Sequence, residues 1–213
     1  MNRRAYLASA GTALTAATAG CGFILGNEPA TFSASASEVP DSVLEETGYE
    51  HTENEQMEIE REFSAAGQTR KVVATNVLAK HEKTIDLGPL DEGQGAVFTG
   101  LTTPQVKVLD KTFNPVEEMS AAELAKMAQD SYSGFENVEE RSSSEVSING
   151  TTTEQVKFAG DAAFSGSPVE IYLHVSEAVE LGSDFLVTFG SYPMGSGDEE
   201  ANILRMMEAV RSA

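Results

Sequence analysis

The sequence predicts an α+β fold, an antiparallel β-sheet of several hairpins flanked by helices. Apolar and polar residues alternate over several stretches, clearest at residues 169–175, and this period is typical of β-strands. Asn149-Gly150 lies between two such stretches and is a strong signal for a two-residue hairpin turn. Helix signals interrupt the strands at only a few places. Runs of hairpins interrupted by helices indicate the α+β class.

The first half of the chain is expected to hold one short helix among strands. Pro40 suits the entry of this helix, and Gly48 suits its left-handed end, with Tyr49 packing back on it. The remaining elements expected there are a weak strand at 32–37, strands at 58–63 and 72–80 around a turn at 66–68, a loop at 86–95, and strands at 96–101 and 106–113 separated by a turn at 102–104. Alternation at 57–63 predicts a half-buried strand with Met57, Ile59 and Phe63 on its buried side.

The second half opens on the best local helix signal in the chain. Ser120 and Glu123 form a capping box, and Met119 and Leu124 form a hydrophobic staple across it, so a helix should run to about Tyr132. Strands are expected at 138–143, 146–148, 153–158, 169–175 and 185–189, followed by a final helix opened by residues 196–200, with acids in its first turn and a buried stripe of Ile203, Leu204, Met207 and Val210.

Residues 97–100 and 187–190 resemble each other. Two similar halves are one explanation, and chance recurrence of strand-forming residues is the other.

The N-terminus indicates export and lipid attachment. Arg3 and Arg4 precede an uncharged, weakly apolar run at 5–17, and small residues lie directly before Cys21. The run is shorter than the ~20 residues of a transmembrane helix. Residues 2–7 resemble a twin-arginine export signal, and residues 18–21 resemble a lipobox. We expect a signal peptide at 1–20, a lipidated Cys21 with a tether to residue 31, and a single domain at 32–213 outside the membrane. An uncleaved anchor extended by residues 23–25 is the alternative.

Acidity dominates the composition. The chain has a net charge of −20, and removal of residues 1–20 leaves 12 basic and 34 acidic residues, a net charge of −22. The acids could attract cations or basic proteins, but their even spread favours adaptation to high salt, where screening suppresses their repulsion. Nucleic acid is not an expected partner, because phosphates require basic groups. Cys21 is the only cysteine, which excludes an intramolecular disulfide.

Several short motifs carry a family resemblance. They are the lipobox at Cys21, Thr47-Gly48-Tyr49, Thr102-Thr103-Pro104, Phe113-Asn114-Pro115, Tyr172-Leu173-His174-Val175 and Tyr192-Pro193. On these residues the chain resembles secreted haloarchaeal lipoproteins defined only by a domain of unknown function. The order of elements is also similar to that of PsbP-like domains. The resemblance implies an address and a fold, and fold alone does not fix an activity.

Few residues are candidates for chemistry. His174 and Tyr172 share one face of a predicted strand and are the candidate functional pair, whereas His51 and His81 are expected on the surface. No cofactor or metal is expected: the loop at 86–95 lacks a phosphate-binding lysine, and the acids at 177–184 and 198–200 lack calcium-loop spacing. Asn149-Gly150-Thr151 is a candidate N-glycosylation sequon.

The expected function is that of a lipid-anchored binding or accessory module. Its expected partners are membrane lipid through Cys21 and a membrane protein or small molecule. A hydrolase whose site assembles only in three dimensions and a structural envelope component are the alternatives.

Overall fold

A computed structural model describes residues 29–65, 68–85, 94–108, 111–112, 114–131, 135–164 and 167–213. The predicted signal peptide, Cys21, most of the tether, residues 66–67 of the predicted turn and residues 86–93 of the predicted loop lie outside these ranges, as do Phe113 and Tyr132.

Strands dominate the described chain, and three α-helices interrupt them. In chain order the elements are β1 (Ala30–Ser33), β2 (Ser37–Glu38), α1 (Asp41–Thr47), β3 (Glu50–Ala65), β4 (Gln68–Thr84), β5 (Gln94–Pro104), β6 (Lys107–Val108), β7 (Lys111–Thr112), a 3₁₀ turn (Pro115–Glu118), α2 (Ala121–Ser131), β8 (Phe135–Ile148), β9 (Thr151–Phe164), β10 (Ser167–Ser176), β11 (Val179–Leu181), β12 (Asp184–Pro193), α3 (Glu199–Ala209) and β13 (Arg211–Ser212).

One nine-stranded sheet organises these elements. Its path runs β1-β4-β5-β12-β10-β9-β8, with β3 beside β4 and β11 beside β12. The pairings from β4 across to β8 are antiparallel. Two short ladders, β2 with β13 and β6 with β7, stand apart from it. The predicted α+β class, with helices among antiparallel hairpins, is confirmed.

The chain divides into two compact units. In the described chain, one consists of residues 29–31 and the described part of 60–73, where Lys71 and Glu60 form an ion pair at 2.6 Å. The other contains residues 32–59 and 74–213. Both hydrophobic cores belong to this second unit.

The two cores of the second unit lie on opposite faces of the sheet, because successive strand residues point to opposite sides. On one face, α1 and α3 cover residues such as Phe98, Leu186 and Tyr192. On the other face, α2 covers residues such as Phe158, Leu173 and Val187. Helix α3 reaches β12 closely at Gly190, where an added Cβ would lie 2.4 Å from the Cγ2 of Ile203.

The helix ends follow the local rules. Gly48 ends α1 in a left-handed conformation (φ 76°), and its amide donates to the carbonyl of Leu44 at 2.8 Å. The capping box of α2 is formed: the Glu123 amide donates to Ser120 Oγ at 3.3 Å, and the Ser120 amide donates to Glu123 Oε2 at 3.0 Å. Leu124 is fully buried, and Met119 packs against the same core. These predictions are confirmed.

The predicted turn at Thr102-Thr103-Pro104 is wrong. These residues continue β5, where Thr102 pairs with Leu186 and Pro104 pairs with Asp184 of β12. Pro104 lies two residues beyond Thr102, the last β5 residue whose pairing with β4 is described, so its missing N–H removes no described bond to β4.

The predicted burial of Met57 and Ile59 is also wrong. Both lie in β3 as expected, but each is 37% exposed, and no described residue of β3 belongs to either core. The alternation there is that of a strand, yet neither helix layer covers it.

The two similar segments at 97–100 and 187–190 pair with each other in antiparallel register. A twofold axis relating antiparallel neighbours is perpendicular to the sheet and would leave both following helices on one face. Instead α2 and α3 cover opposite faces. The geometry therefore gives the alternative of two symmetric halves no support.

Candidate functional site

Strand β10 places the predicted pair, His174 and Tyr172, on the face that α3 covers. Each has a neighbour on both adjacent strands: His174 lies opposite Lys157 of β9 and Gly190 of β12, and Tyr172 lies opposite Tyr192 of β12. Gly190 carries no side chain, so the diagonal residue Tyr192 can reach across to His174, at the distance where long side chains still meet.

His174 is fully buried and both of its ring nitrogens are engaged. Nδ1 lies 3.0 Å from Gln155 Oε1, and Nε2 lies 3.1 Å from the hydroxyl of Tyr192. Gln155 Nε2 donates to Ser144 Oγ at 2.7 Å, which leaves Oε1 as the acceptor for His174. The bonds therefore assign the proton of neutral His174 to Nδ1, and Nε2 accepts from Tyr192. We call Ser144, Gln155, His174 and Tyr192 the buried polar chain.

The buried polar chain favours the neutral imidazole. Burial lowers the pKa of His174 from 6.5 to about 4; the nearby Glu200 carboxylate opposes the shift and Lys157 adds to it. Burial, with Glu200 next, raises the pKa of Tyr192 above its ordinary value of 10.0. A charged His174 would donate a hydrogen bond from Nε2. The Tyr192 hydroxyl could then no longer donate to Nε2 and would need another acceptor.

The described contact of Tyr172 with Lys157 is made by its aromatic ring. Lys157 Nζ lies 3.9 Å from the centre of that ring, a cation–π contact. The same ammonium pairs with Glu200 Oε2 at 2.7 Å. Tyr172 is therefore near His174 in space, but it is held by a contact between the sheet and the first turn of α3.

Glu199, the neighbour of Glu200, is the centre of a group that sequence reasoning missed. It is only 5% exposed, and it accepts from the Tyr49 hydroxyl at 3.0 Å, from Lys83 Nζ at 2.5 Å and from Asn202 Nδ2 at 3.1 Å. Burial, followed by the charge and hydrogen bond of Glu199, raises the pKa of Tyr49 above its ordinary 10.0. The acid pattern predicted only a favourable helix start, and nothing in it distinguishes Glu199 from a solvated acid.

His81 corrects a prediction. It was expected on the surface with His51, but it is 2% exposed, with its ring packed against Phe98. The ring of His51, which is exposed as predicted, lies edge-on at 5.2 Å. Among the described residues, Nδ1 of His81 has no hydrogen-bond partner. Burial, followed by the charge of His51, lowers the pKa of His81 to about 4, and a bond to the Phe98 backbone opposes this. Because the neighbours of His81 in sequence are polar, the sequence predicted a surface position rather than the inward face of β4.

Two other predicted sites stand apart from these groups. Asn149 is exposed in the turn between β8 and β9, with φ 50°. Cys21 lies outside the described residues. Within the described ranges, His, Cys, Asp and Glu form no group of three or more able to hold a metal ion. No helix of the described chain is long and apolar enough to cross a membrane.

The arrangement around His174 can hold strands in register. Both ring nitrogens of His174 already have hydrogen-bond partners within the fold, so neither is free to act as a base. A general base needs a ring nitrogen within hydrogen-bond reach of a substrate proton. Here one nitrogen faces Gln155 and the other faces Tyr192. The polar chain thus links β8, β9, β10 and β12, while Glu199 and Glu200 tie α3 to Lys83 of β4 and Lys157 of β9.

Searches of curated proteins and of solved structures find no match to the chain. One family model matches residues 36–211, which is most of the sequence; it is described as a domain of unknown function, DUF6517. Its span begins one residue before β2 and ends in β13, so it includes α3 and every residue of the buried polar chain. The chain belongs to the DUF6517 family.

Proposed function

We propose that this protein is a lipid-anchored module on the outer face of the cell membrane of a salt-adapted organism, and that it acts by binding a partner protein. The address rests on the sequence: Arg3 and Arg4 before an uncharged run, and Cys21 after small residues. A lipid on Cys21, followed by a short tether, would hold the folded part near the membrane. Stable attachment takes two hydrocarbon chains rather than one.

The observation that carries the binding role is the exposure of β3 between Glu50 and Ile59. Every side chain of this stretch is exposed. Met57 and Ile59 are the large hydrophobic residues that the described chain leaves exposed, and their i, i+2 spacing puts them on the same side of the strand. Because the rest of the stretch is polar, this pair forms a small apolar patch on an otherwise polar strand, to which a partner protein could bind.

The main chain of β3 supports the same role. Among the described strands β3 pairs with β4 alone, so its outer edge presents N–H and C=O groups to solvent. An extended segment of a partner could add to such an edge as a further strand. Residues 50–59 contain four glutamates and no lysine or arginine. Like charges facing each other across strands are destabilising, so the partner that fits carries basic residues around its apolar side chains, and a second copy of β3 does not fit.

The hydrolase alternative draws no such support. Its first candidates were His174 and Tyr172, and the hydrogen bonds of His174 and the lysine contact of Tyr172 are internal to the fold.

The binding role is tested with a double variant, Met57→Ser with Ile59→Ser, in the full-length protein. Chemical cross-linking on intact cells in molar salt should join the wild type to a membrane protein, and the variant should lose that adduct. Glu139→Ser with Arg141→Ser is the matched control, because it changes two exposed residues at the same spacing on a different edge strand, β8. An adduct that survives in the β3 variant and disappears in the β8 variant would place the contact elsewhere.

The address is tested with Cys21→Ser. We expect the variant to be released into the medium or to accumulate as an unprocessed precursor, while the wild type stays with the membrane. Intact-mass spectrometry that finds residues 1–20 still attached to the wild-type protein would reject the proposal.

A further inference from the structure

The turn between β8 and β9 displays the sequon Asn149-Gly150-Thr151. Ile148 pairs with Thr151, and the two residues between them have φ values of 50° and 78°. Positive φ at both central positions defines a type I′ turn, which favours Asn-Gly. All three residues of the sequon are exposed, and Asn149 is the only asparagine of the chain followed two positions later by serine or threonine.

The surroundings leave room for a large group on Asn149. A Cβ built on Gly150 would meet no atom of the described residues within 4 Å other than its own chain neighbours, so the described chain leaves the space beside the turn open. Asn149 Nδ2 donates one hydrogen bond to the carbonyl of Glu180 at 3.3 Å. The amide has two hydrogens, so one can be replaced while the other keeps this bond.

We propose that Asn149 carries an N-linked glycan. The inference rests on the proposed export, because the transfer of oligosaccharide to such sequons occurs on exported chains. The donor is an oligosaccharide linked to a lipid phosphate. Nδ2 of Asn149 attacks C1 of the first sugar, the C1–O bond to the phosphate breaks with its electron pair going to the lipid phosphate, and the amide proton is released. The hydroxyl of Thr151 supplies the second recognition element.

The position of this glycan has a consequence for the sheet. Asn149 follows the last residue of β8, an edge strand whose residues 139–145 are all exposed. A bulky hydrophilic group at the end of an open edge hinders pairing with another strand. In the strand order β8 lies at the opposite end from β4 and its neighbour β3. The glycan would therefore cover one edge and leave the proposed binding strand free.

The test uses the full-length protein isolated from its native host. Peptide mass spectrometry should find the peptide that contains Asn149 heavier by one oligosaccharide, and chemical deglycosylation should remove the added mass. Thr151→Ala should abolish the addition while it leaves the Asn-Gly turn intact, and Thr151→Ser should retain it. Asn137→Gln is the control, because Asn137 is also exposed with positive φ but begins no sequon.

Export is measured separately by protease digestion of intact cells. Surface-exposed wild-type protein with an unmodified Asn149 peptide overturns the glycan and leaves the proposed function standing. Protein that is protected inside the cell and unmodified overturns both. Added mass that persists in Thr151→Ala would show that the sequon does not direct the modification, and this also refutes the inference.

Discussion

Acid should unfold this protein through its two buried histidines, and His174 is the one whose contribution can be isolated best. Its pKa is about 4 in the folded chain against 6.5 for an ordinary histidine. The unfolded chain therefore binds the proton more tightly, and stability falls as the pH drops from about 6.5 towards 4. Above pH 6.5 both states are neutral and the full stability is present.

The size of the effect follows from the shift. Each pKa unit corresponds to about 1.4 kcal/mol, so His174 should account for a loss of roughly 3 kcal/mol between pH 7 and pH 4. His81 has a similar shift and should add a comparable loss. Against a total stability of about 5–15 kcal/mol for a typical domain, the two losses together bring the protein close to unfolding near pH 4.

The assay is urea unfolding at fixed molar salt, followed by circular dichroism, at several pH values between 4 and 7.5. His174→Gln should be less stable than the wild type at pH 7, since it disturbs the bonds to Gln155 and Tyr192, but it should lose about 3 kcal/mol less on acidification. Ile203→Val is the control, because it alters a fully buried residue without a titratable group and should shift stability equally at every pH. A His174→Gln variant that keeps the wild-type dependence on pH would refute the reasoning.

Three further predictions concern packing, capping and salt. Gly190→Ala should lower the free energy of unfolding by about 1–3 kcal/mol, because the added methyl overpacks against Ile203. The loss should shrink in an Ile203→Ala background, and unfolding of the double mutant should show strong non-additivity. Additive losses would contradict the contact. Ser120→Ala should cost about 1 kcal/mol by loss of the cap, and Leu124→Ala roughly 2–5 kcal/mol, as measured by urea unfolding; the reverse order would contradict the packing of α2. Transfer from molar salt to ~0.01 M salt lengthens screening from ~3 to ~30 Å, so the acidic chain should lose its circular dichroism signal, and an unchanged signal would assign the acidity another purpose.

Local sequence rules predicted α1 and α2 well because each of these helices carries its own end signal. Gly48, Ser120 and Glu123 act on backbone groups within a few residues, so no distant contact can overrule them easily. The Asn149-Gly150 turn follows the same logic, since positive φ is a local demand. Alternation likewise located strands at 58–63, 72–80 and 169–175, but the single strand expected at 106–113 is wrong, because β6 and β7 there are two short strands that pair with each other.

Burial was harder to predict because it depends on what covers each strand. Met57 and Ile59 have the pattern of a half-buried strand, but α1 and α3 pack over the central strands and leave this stretch exposed. His81 shows the opposite error: its neighbours Lys80 and Glu82 are polar, yet its side chain points inward beside Phe98. Period alone cannot say which face of a strand has a helix above it.

The acids that open α3 show most clearly how tertiary contacts change the meaning of a local pattern. From sequence, Glu199 and Glu200 are favourable because carboxylates suit a helix N-terminus. In the fold each also meets a lysine from a different strand, Lys83 and Lys157. A buried ion pair is costly to break from one side, because the remaining charge stays desolvated. Since Glu199 is buried, its ion pair with Lys83 and its hydrogen bond from Tyr49 fix the position at which α3 begins. The same placement brings Ile203 against Gly190. The polar contacts at the start of α3 and the apolar contact one turn later therefore specify one position of the helix on the sheet.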